Sequence, residues 1–216
     1  MSGRAEFKPE SVRVTEQIRN EIIDGVRAPG SKLVERDLAE ELGVSRLPVR
    51  EALQALVGEG LVTPRPRSWA IVREFTASDI ADLIEVRAAL EVLTFKLAAQ
   101  RRSRAALEEL HQALQEELEA AQAGEAVAAR RAGVRFHEIV TRMAGNDLLL
   151  EVQGSLSARM RWLLSQHHDL EGIAREHVGL YDALARRDAS VMESLVVQHL
   201  ETSRINAAEA TGQRLA

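Results

Sequence analysis

Hydrophobic residues recur at helical spacing in three short segments near the start of the chain. Apolar side chains three or four residues apart lie on one face of a helix, so each segment predicts an amphipathic helix with one buried side. Gly25, Gly43 and Gly60 follow the three segments and are expected to end the helices. The apolar stripes consist of Val14, Ile18 and Ile22, then Val34, Leu38 and Leu42, and then Val49, Leu53 and Leu56.

Two short apolar runs, at residues 61–63 and 69–72, follow the third helix and flank a proline-containing turn. Such a pattern is typical of a β-hairpin. Three short helices followed by a hairpin are the element order of a winged helix-turn-helix. Residues 43–45 form the tight turn between the second and third helices, and Ser45 is a suitable N-cap for the third.

Beyond this hairpin the chain has no proline and is rich in Ala, Leu, Glu and Arg, which favour helices. The apolar periodicity predicts about six helices, which would pack as a bundle with an interior able to hold a ligand. We therefore predict a mainly α-helical protein with a winged helix-turn-helix domain over residues 1–75 and an all-α six-helix bundle over residues 76–216. The predicted helices span residues 78–100, 103–122, 125–144, 147–166, 172–187 and 189–209.

Composition narrows the class of protein. The chain has 216 residues, of which 45% are hydrophobic, but no apolar run reaches the ~20 residues that a membrane-spanning helix needs. No basic and apolar leader is recognisable at the start, so we expect a cytoplasmic protein with no membrane partner. The lack of cysteine excludes disulfides and thiolate chemistry, and the 3% aromatic content argues against stacking on single-stranded nucleic acid.

Charge is unevenly distributed along the chain. The net charge is −5, yet residues 1–75 hold 12 basic and 12 acidic residues and are neutral. Residues 42–73 carry five arginines and two glutamates, which gives a local excess of positive charge. Such an excess in an acidic protein indicates a surface that faces an anion, and an ordinary solvated surface is the alternative on charge alone.

Arginines concentrate where a winged helix-turn-helix contacts DNA. Arg46 and Arg50 lie four residues apart at the start of the third predicted helix, on a face away from Val49. The N-terminal end of this helix enters the major groove in helix-turn-helix proteins. Arg65 and Arg67 lie in the predicted hairpin, from which they can reach phosphates or the adjacent groove.

Four polar residues fall on predicted inner faces of the bundle: Arg87, His137, His177 and His199. A single buried histidine is usually hydrogen-bonded in the core, whereas three on separate helices favour a shared metal, because neutral imidazole is a common metal ligand. Both interpretations stay open on periodicity alone. Arg87 needs an anion, either an effector carboxylate or an internal Asp or Glu. The remaining histidines, on predicted exposed faces or near a helix end and given no role, are His111, His167 and His168.

Four sequence runs of the first domain occur in a recognisable order. They are GSKL at residues 30–33, ERDLAEELGVSR at 35–46, PVREAL at 48–53 and EGLV at 59–62. This order resembles the GntR family of bacterial transcription regulators. The resemblance implies contacts with double-stranded operator DNA through Arg36, Ser45, Arg46 and Arg50.

Two positions depart from the pattern of that family. Leu47 stands where many members have a hydroxyl residue, and it would offer an apolar contact, for example to a thymine methyl. Ser68 stands at the wing tip, where the family often has glycine. The close approach of the wing to DNA therefore does not follow from the resemblance.

The second domain has its own recognisable stretches, at residues 85–91, 136–140, 177–184 and 198–200. They resemble the FadR C-terminal (FCD) domain in its six-helix, VanR-like form. Many such domains bind a divalent metal through three histidines and one aspartate, with an organic acid effector over the metal. The histidine positions correspond to His137, His177 and His199, whereas the aspartate position is Gly133.

The glycine changes what this resemblance implies. Either Gly133 opens a coordination position for water or an effector carboxylate, or the site has lost its metal and the histidines bond one another or water. If metal is present, the nitrogen ligands favour zinc or nickel. Arg87 and Tyr181, which lies one turn after His177, are further candidates for contact with the effector.

The two resemblances together predict a ligand-responsive transcription regulator. We expect a repressor that binds a short palindromic operator as a homodimer and releases or engages it when a small organic acid binds the bundle. The first alternative is the same regulator with a metal-free effector pocket. A distant alternative is a three-histidine metalloenzyme, for which the predicted inner faces offer no clear general base.

Overall fold

The computed structural model of the protein describes residues 8–66 and 69–210, so Arg67 and Ser68 of the predicted wing lie outside the described residues. The chain forms two compact units that divide between Glu74 and Phe75. Over the described residues the fold has nine helices and one sheet of three short strands. The predicted fold class is confirmed.

The first unit contains the three predicted helices. In chain order its elements are α1 (Glu10–Ile23), β1 (Lys32–Val34), α2 (Glu35–Leu42), α3 (Arg46–Gly58), β2 (Val62–Arg65) and β3 (Trp69–Val72). The apolar stripes meet in one core, in which Ile18, Val49 and Leu56 are fully buried. Gly43 follows α2 in the left-handed conformation with φ +64°, a geometry that glycine adopts without strain and that turns the chain toward α3.

The wing is larger than the sequence predicts. The sheet has the order β1-β3-β2, with both pairs antiparallel, so a third strand joins the predicted hairpin. Leu33 faces Ala70 across the β1–β3 pair and is fully buried. Val34 therefore ends a strand and is not part of the α2 stripe, and a three-residue strand is too short to show an alternating pattern of its own.

The second unit is a bundle of the six predicted helices, each end within three residues of its predicted position. They are α4 (Ala77–Arg101), α5 (Arg104–Gln122), α6 (Ala126–Met143), α7 (Asp147–Leu164), α8 (Leu170–Ala185) and α9 (Met192–Ala210). Helix α4 packs on α9 and α6, and α5 packs on α6 and α8. No helix of the described residues is long and apolar enough to span a bilayer.

Short polar residues start several of these helices. Thr76 and Asp79 form a capping box at α4, in which each side chain bonds the backbone N–H of the other. The side chains of Ser103, Asn146 and Asp169 accept backbone N–H groups at the starts of α5, α7 and α8. These caps fix where α4, α5, α7 and α8 begin.

Candidate metal centre and DNA interface

Three histidines converge in the interior of the bundle. His137 comes from α6, His177 from α8 and His199 from α9, and all three are buried. One nitrogen from each ring lies within 4.8 Å of the other two. The prediction that these side chains point into the core is confirmed, and the three rings can share one ligand.

Two of the histidines are oriented by buried or half-buried glutamates. Glu117 of α5 places Oε2 2.7 Å from Nδ1 of His177, and Glu176 of α8 places Oε2 2.7 Å from Nδ1 of His199. A carboxylate only accepts hydrogen bonds, so each Nδ1 carries the proton and each Nε2 keeps its lone pair. This carboxylate–histidine arrangement is the one that usually holds a metal-ligating imidazole.

The cluster leaves several buried polar atoms without a partner. Among the described residues the atoms without a hydrogen bond include Nε2 of His177, both ring nitrogens of His137 and Nη1 of Arg87, although Nδ1 of His137 lies 3.4 Å from Oε1 of Glu91. Burying such groups unpaired is unfavourable, and a divalent cation would satisfy the imidazole nitrogens that it binds, whereas Nη1 of Arg87 needs an acceptor. Ligand nitrogens lie about 2.0–2.1 Å from zinc, so small shifts of the rings would bring all three within reach. The donor set therefore fits a borderline metal such as zinc or nickel.

The environment favours the neutral form of His137 and His199. Burial lowers the pKa of His137 and of His199 well below the ordinary value, and the neighbouring His177 lowers both further. Arg87 acts in the same direction on both. Burial raises the pKa of Glu176 in spite of a hydrogen bond that its carboxylate accepts from Thr202. Neutral imidazole is the form that binds a metal.

His167 is a buried residue that the sequence analysis missed. It follows α7, and its Nε2 lies 3.0 Å from the hydroxyl of Ser203 on α9. Burial is the main reason why the pKa of His167 falls to about 3. The expectation of an exposed or helix-end position was wrong about its exposure, because the chain folds back after α7 and turns this side chain inward. His111 and His168 are exposed.

Arg87 already has an internal carboxylate partner. Its Nε donates to Oε1 of Glu91 at 2.8 Å, one turn along α4, and both side chains are buried. Of the two anions expected for Arg87, an internal carboxylate is therefore the partner of the Nε edge of the guanidinium. Nη2 lies 3.4 Å from Nε2 of His199, while Nη1 has no hydrogen-bond partner.

A cavity of about 300 Å³ lies beside His137, between α4, α6 and α7. Three polar side chains with an unpaired buried atom line it, namely Arg87, His137 and Gln153. Gln153 donates from Nε2 to the hydroxyl of Thr94 at 2.9 Å, which leaves its carbonyl oxygen free of partners. Much of the remaining lining is apolar and comes from Leu90, Val134, Leu150, Leu156, Met160 and Leu164.

Gly133 and Tyr181 do not occupy the expected places. A Cβ at Gly133 would lie 2.9 Å from Oε1 of Glu117, so this carboxylate fills the space that the sequence analysis assigned to water or an effector. The small cavity that remains beside Gly133 has about 10 Å³, too little for an organic acid. Tyr181 lies with its ring centroid 5.3 Å from that of exposed His111, on the side of α8 that faces α5. Neither residue lines the larger cavity.

The candidate DNA interface lies at the start of α3. Arg46 is its first residue and is exposed, and Leu47 beside it is 61% exposed. Ser45 holds the N-cap position with extended backbone, but its side chain makes no capping hydrogen bond. The expected capping contact is therefore absent, and the hydroxyl is exposed at the helix end.

Two arginines of this interface form salt bridges with acidic residues. Arg50 donates from Nε and Nη2 to the carboxylate of Glu35, at 3.0 and 2.9 Å. Arg36 donates to Asp37 at 3.0 Å. Both arginines are more than half exposed, so these pairs are weak and can give way to a phosphate. Arg65 is exposed at the end of β2.

A winged helix-turn-helix with arginines on its third helix, followed by a helical bundle with an internal site, is typical of DNA-binding transcription regulators. Residues 10–72 match the family described as bacterial regulatory proteins, gntR family, and residues 82–202 match the FCD domain. The chain belongs to the GntR family of transcriptional regulators, in the group that carries an FCD domain. This class is not an enzyme class, so the metalloenzyme alternative is set aside.

Known proteins align with nearly the whole chain. The HTH-type transcriptional repressor RspR of Escherichia coli is 26% identical over 198 residues, which cover 90% of this chain and 87% of that protein. The Nta operon transcriptional regulator of Aminobacter aminovorans is 32% identical over 178 residues, covering 80% and 82%. The solved structure of Escherichia coli McbR/YncC has the same fold, with a TM-score of 0.83 at 22% identity over 94% of this chain and 99% of that one.

Proposed function

We propose that this protein is a repressor whose hold on operator DNA is controlled by a small organic acid bound beside a metal in the bundle. The observation that carries the proposal is the convergence of three buried histidines next to a cavity lined by polar atoms without partners. Such a cavity, mostly apolar with a few convergent polar groups, is typical of a small-molecule site.

In this proposal His137, His177 and His199 hold zinc or nickel. The bound metal would act as a Lewis acid that anchors a carboxylate. Other residues of the chain prepare the site for the ion. Glu117 and Glu176 fix the tautomers of two ligands, and burial excludes water that would compete for the metal.

The cavity defines the chemistry of the effector. Nη1 of Arg87 is a donor suited to a carboxylate oxygen, and the carbonyl oxygen of Gln153 is an acceptor suited to a hydroxyl or N–H group. The apolar part of the lining favours a ligand with an apolar carbon skeleton. The effector class is therefore a small hydroxy or amino carboxylic acid.

Operator contacts are assigned to the start of α3 and to the wing. Arg46 and Arg50 are the candidates for base edges, Leu47 for a thymine methyl, and the hydroxyl of Ser45 for a phosphate. The uncapped hydroxyl and the exposure of Leu47 support these roles. Phosphate or minor-groove contacts are proposed for Arg36, Arg65, Arg67 and Ser68.

A homodimer completes the proposal, because a palindromic operator presents two equivalent half-sites. Apolar residues exposed on two adjacent helices support self-association. Val86 and Leu93 lie two turns apart on one face of α4, and Leu148 and Val152 lie one turn apart on α7, which packs on α4. Binding of the effector would couple to the spacing of the two DNA-binding units by ~1–3 kcal/mol.

Elemental analysis of tag-free protein purified without chelators tests the metal. We expect close to one zinc or nickel ion per chain, and loss of that ion in His137→Ala. Protein that stays metal-free after incubation with both ions and removal of the excess would contradict this part of the proposal.

Selection of duplexes from a random-sequence library tests the DNA-binding part. We expect enrichment of a palindrome and a complex that contains two protein chains per duplex by analytical ultracentrifugation. Recovery of sequences without twofold symmetry, or a complex with one chain, would contradict it.

Fluorescence anisotropy of the selected duplex, titrated with a panel of small acids, tests the effector. An active acid should change the apparent Kd in wild type and lose its effect in Gln153→Leu, while its carboxamide should be inactive. Equal responses to the acid and to its amide would rule out a carboxylate anchor.

A metal-free regulator is the second candidate, favoured by one observation. Internal carboxylates already bond Nδ1 of His177, Nδ1 of His199 and Nε of Arg87, so the polar cluster is partly satisfied without any ion. An effector response that persists unchanged in His137→Ala would select this candidate over the metal-dependent one.

A further inference from the structure

Glu117 is a buried acidic residue to which the sequence resemblance assigns no role. Its side chain is 4% exposed, and its Oε2 lies 2.7 Å from Nδ1 of His177. A carboxylate so deeply buried is unfavourable unless it has a strong partner. The imidazole N–H of His177 is one such partner, and the contact leaves Nε2 of the same ring buried and unpaired.

Gly133 of α6 faces this carboxylate from the neighbouring helix. Oε1 of Glu117 lies 2.9 Å, and Cε1 of His177 3.5 Å, from the position that a Cβ at residue 133 would take. Real Cβ atoms essentially never approach an oxygen that closely, so any larger residue would displace the carboxylate. A glycine inside a helix is itself unfavourable by ~1 kcal/mol relative to alanine, which indicates that the space matters more than helix propensity here.

We propose that Glu117 is the positioning residue of the metal site and that Gly133 provides the room for its carboxylate. Glu117 accepts the hydrogen bond from the Nδ1–H group of His177 and thereby orients Nε2 toward the other two histidines. Its carboxylate also contributes a negative charge close to the cation. Its action passes through His177. The inference rests on the proposed metal site and adds the residue that prepares that site for the ion.

Glu117→Gln in the full-length protein tests the charge, and Glu119→Gln is the matched control. Glu119 lies on the same helix and is exposed, so its substitution removes the same charge without touching the cluster. Zinc affinity is measured by competition with a chromophoric chelator, and the melting temperature of the metal-free protein is measured in parallel. We expect Glu117→Gln to weaken zinc binding 10- to 100-fold and Glu119→Gln to change it less than twofold.

A relocated carboxylate provides the second test. Glu117→Ala empties the space beside residue 133, and Gly133→Asp then places a new carboxylate near the vacated position. The double variant should bind zinc at least tenfold more tightly than Glu117→Ala alone. The visible absorption of the Co²⁺-loaded double variant should also return toward that of wild type, which restored folding alone would not produce.

The outcomes distinguish a failure of the proposed metal site from a failure of the role proposed for Glu117. Wild-type protein that binds neither zinc nor Co²⁺ would overturn the proposed metal site itself. Wild type that binds zinc, together with a Glu117→Gln variant of unchanged affinity, would overturn only the role of Glu117. A double variant that stays as weak as Glu117→Ala while keeping its metal-free melting temperature would also overturn that role.

Discussion

Substitution of Gly133 by alanine gives opposite expectations from helix propensity and from the structure. Propensity alone predicts that alanine stabilises the interior of a helix by ~1 kcal/mol over glycine. In this protein the added Cβ would meet Oε1 of Glu117 at 2.9 Å. Oε1 must move, and we expect this to lengthen or break the hydrogen bond that Oε2 of the same buried carboxylate accepts from Nδ1 of His177.

The sizes of these two free-energy contributions decide whether Gly133→Ala stabilises or destabilises the protein. A hydrogen bond to a charged group contributes about 1.5–3 kcal/mol, and its loss outweighs the propensity gain. Gly133→Ala should therefore destabilise the metal-free protein by about 0.5–2 kcal/mol. Gly179→Ala is the matched control, because Gly179 lies within α8 and its added Cβ would meet no atom within 4 Å. That control should be stabilised by up to ~1 kcal/mol.

Differential scanning calorimetry of the chelator-treated full chain measures the difference. At this size 1 kcal/mol moves the melting temperature by roughly 2–4 °C, so the two variants should shift in opposite directions by a few degrees. A Gly133→Ala variant as stable as Gly179→Ala would refute the reasoning, because the carboxylate would then have moved aside at no measurable free-energy cost.

Three further predictions follow from the same contacts. Arg50→Ala should weaken binding to the selected operator by about 1–3 kcal/mol in anisotropy titrations, whereas Arg13→Ala, at an exposed position of α1, should leave it unchanged within experimental error. Zinc at about 1,000 times its Kd should stabilise wild type by about 4 kcal/mol in thermal unfolding, and His137→Ala should remove that gain; an equal gain in the variant would place the ion elsewhere. Arg87→Met should destabilise the protein by about 3–5 kcal/mol because buried Glu91 loses its cationic partner and keeps only the contact with Nδ1 of His137, and adding Glu91→Leu should recover most of the loss in denaturant unfolding.

Much of the fold follows from the sequence because its signals are local. Each long helix of the bundle has its own apolar stripe, and residues such as Thr76 and Asn146 cap helices at predicted boundaries. The inward direction of His137, His177 and His199 follows from the same periodicity. Strand β1 was missed because its pairing with β3 is a long-range contact that leaves no mark in three residues.

The partners of the histidines could be predicted only in part. Glu117 lies on the apolar stripe of α5 with Ala113 and Leu114, so a search for acidic residues on inner faces would have found it. Its pairing with His177, 60 positions away, depends on how α5 and α8 pack, which periodicity does not specify. The inward turn of His167 after α7 is likewise decided by tertiary packing.

Strand β1 has a consequence for how the DNA-binding unit reads its operator. It hydrogen-bonds to the middle strand β3, and α2 begins at the very next residue, so the sheet is tied directly to the helix-turn-helix. In the proposed interface, this tie restricts the distance between the contacts of α3 and those of strand β2. A duplex that bends or narrows to match that distance does so at a free-energy cost that varies with base sequence. Base pairs that no side chain touches should therefore influence the choice of operator.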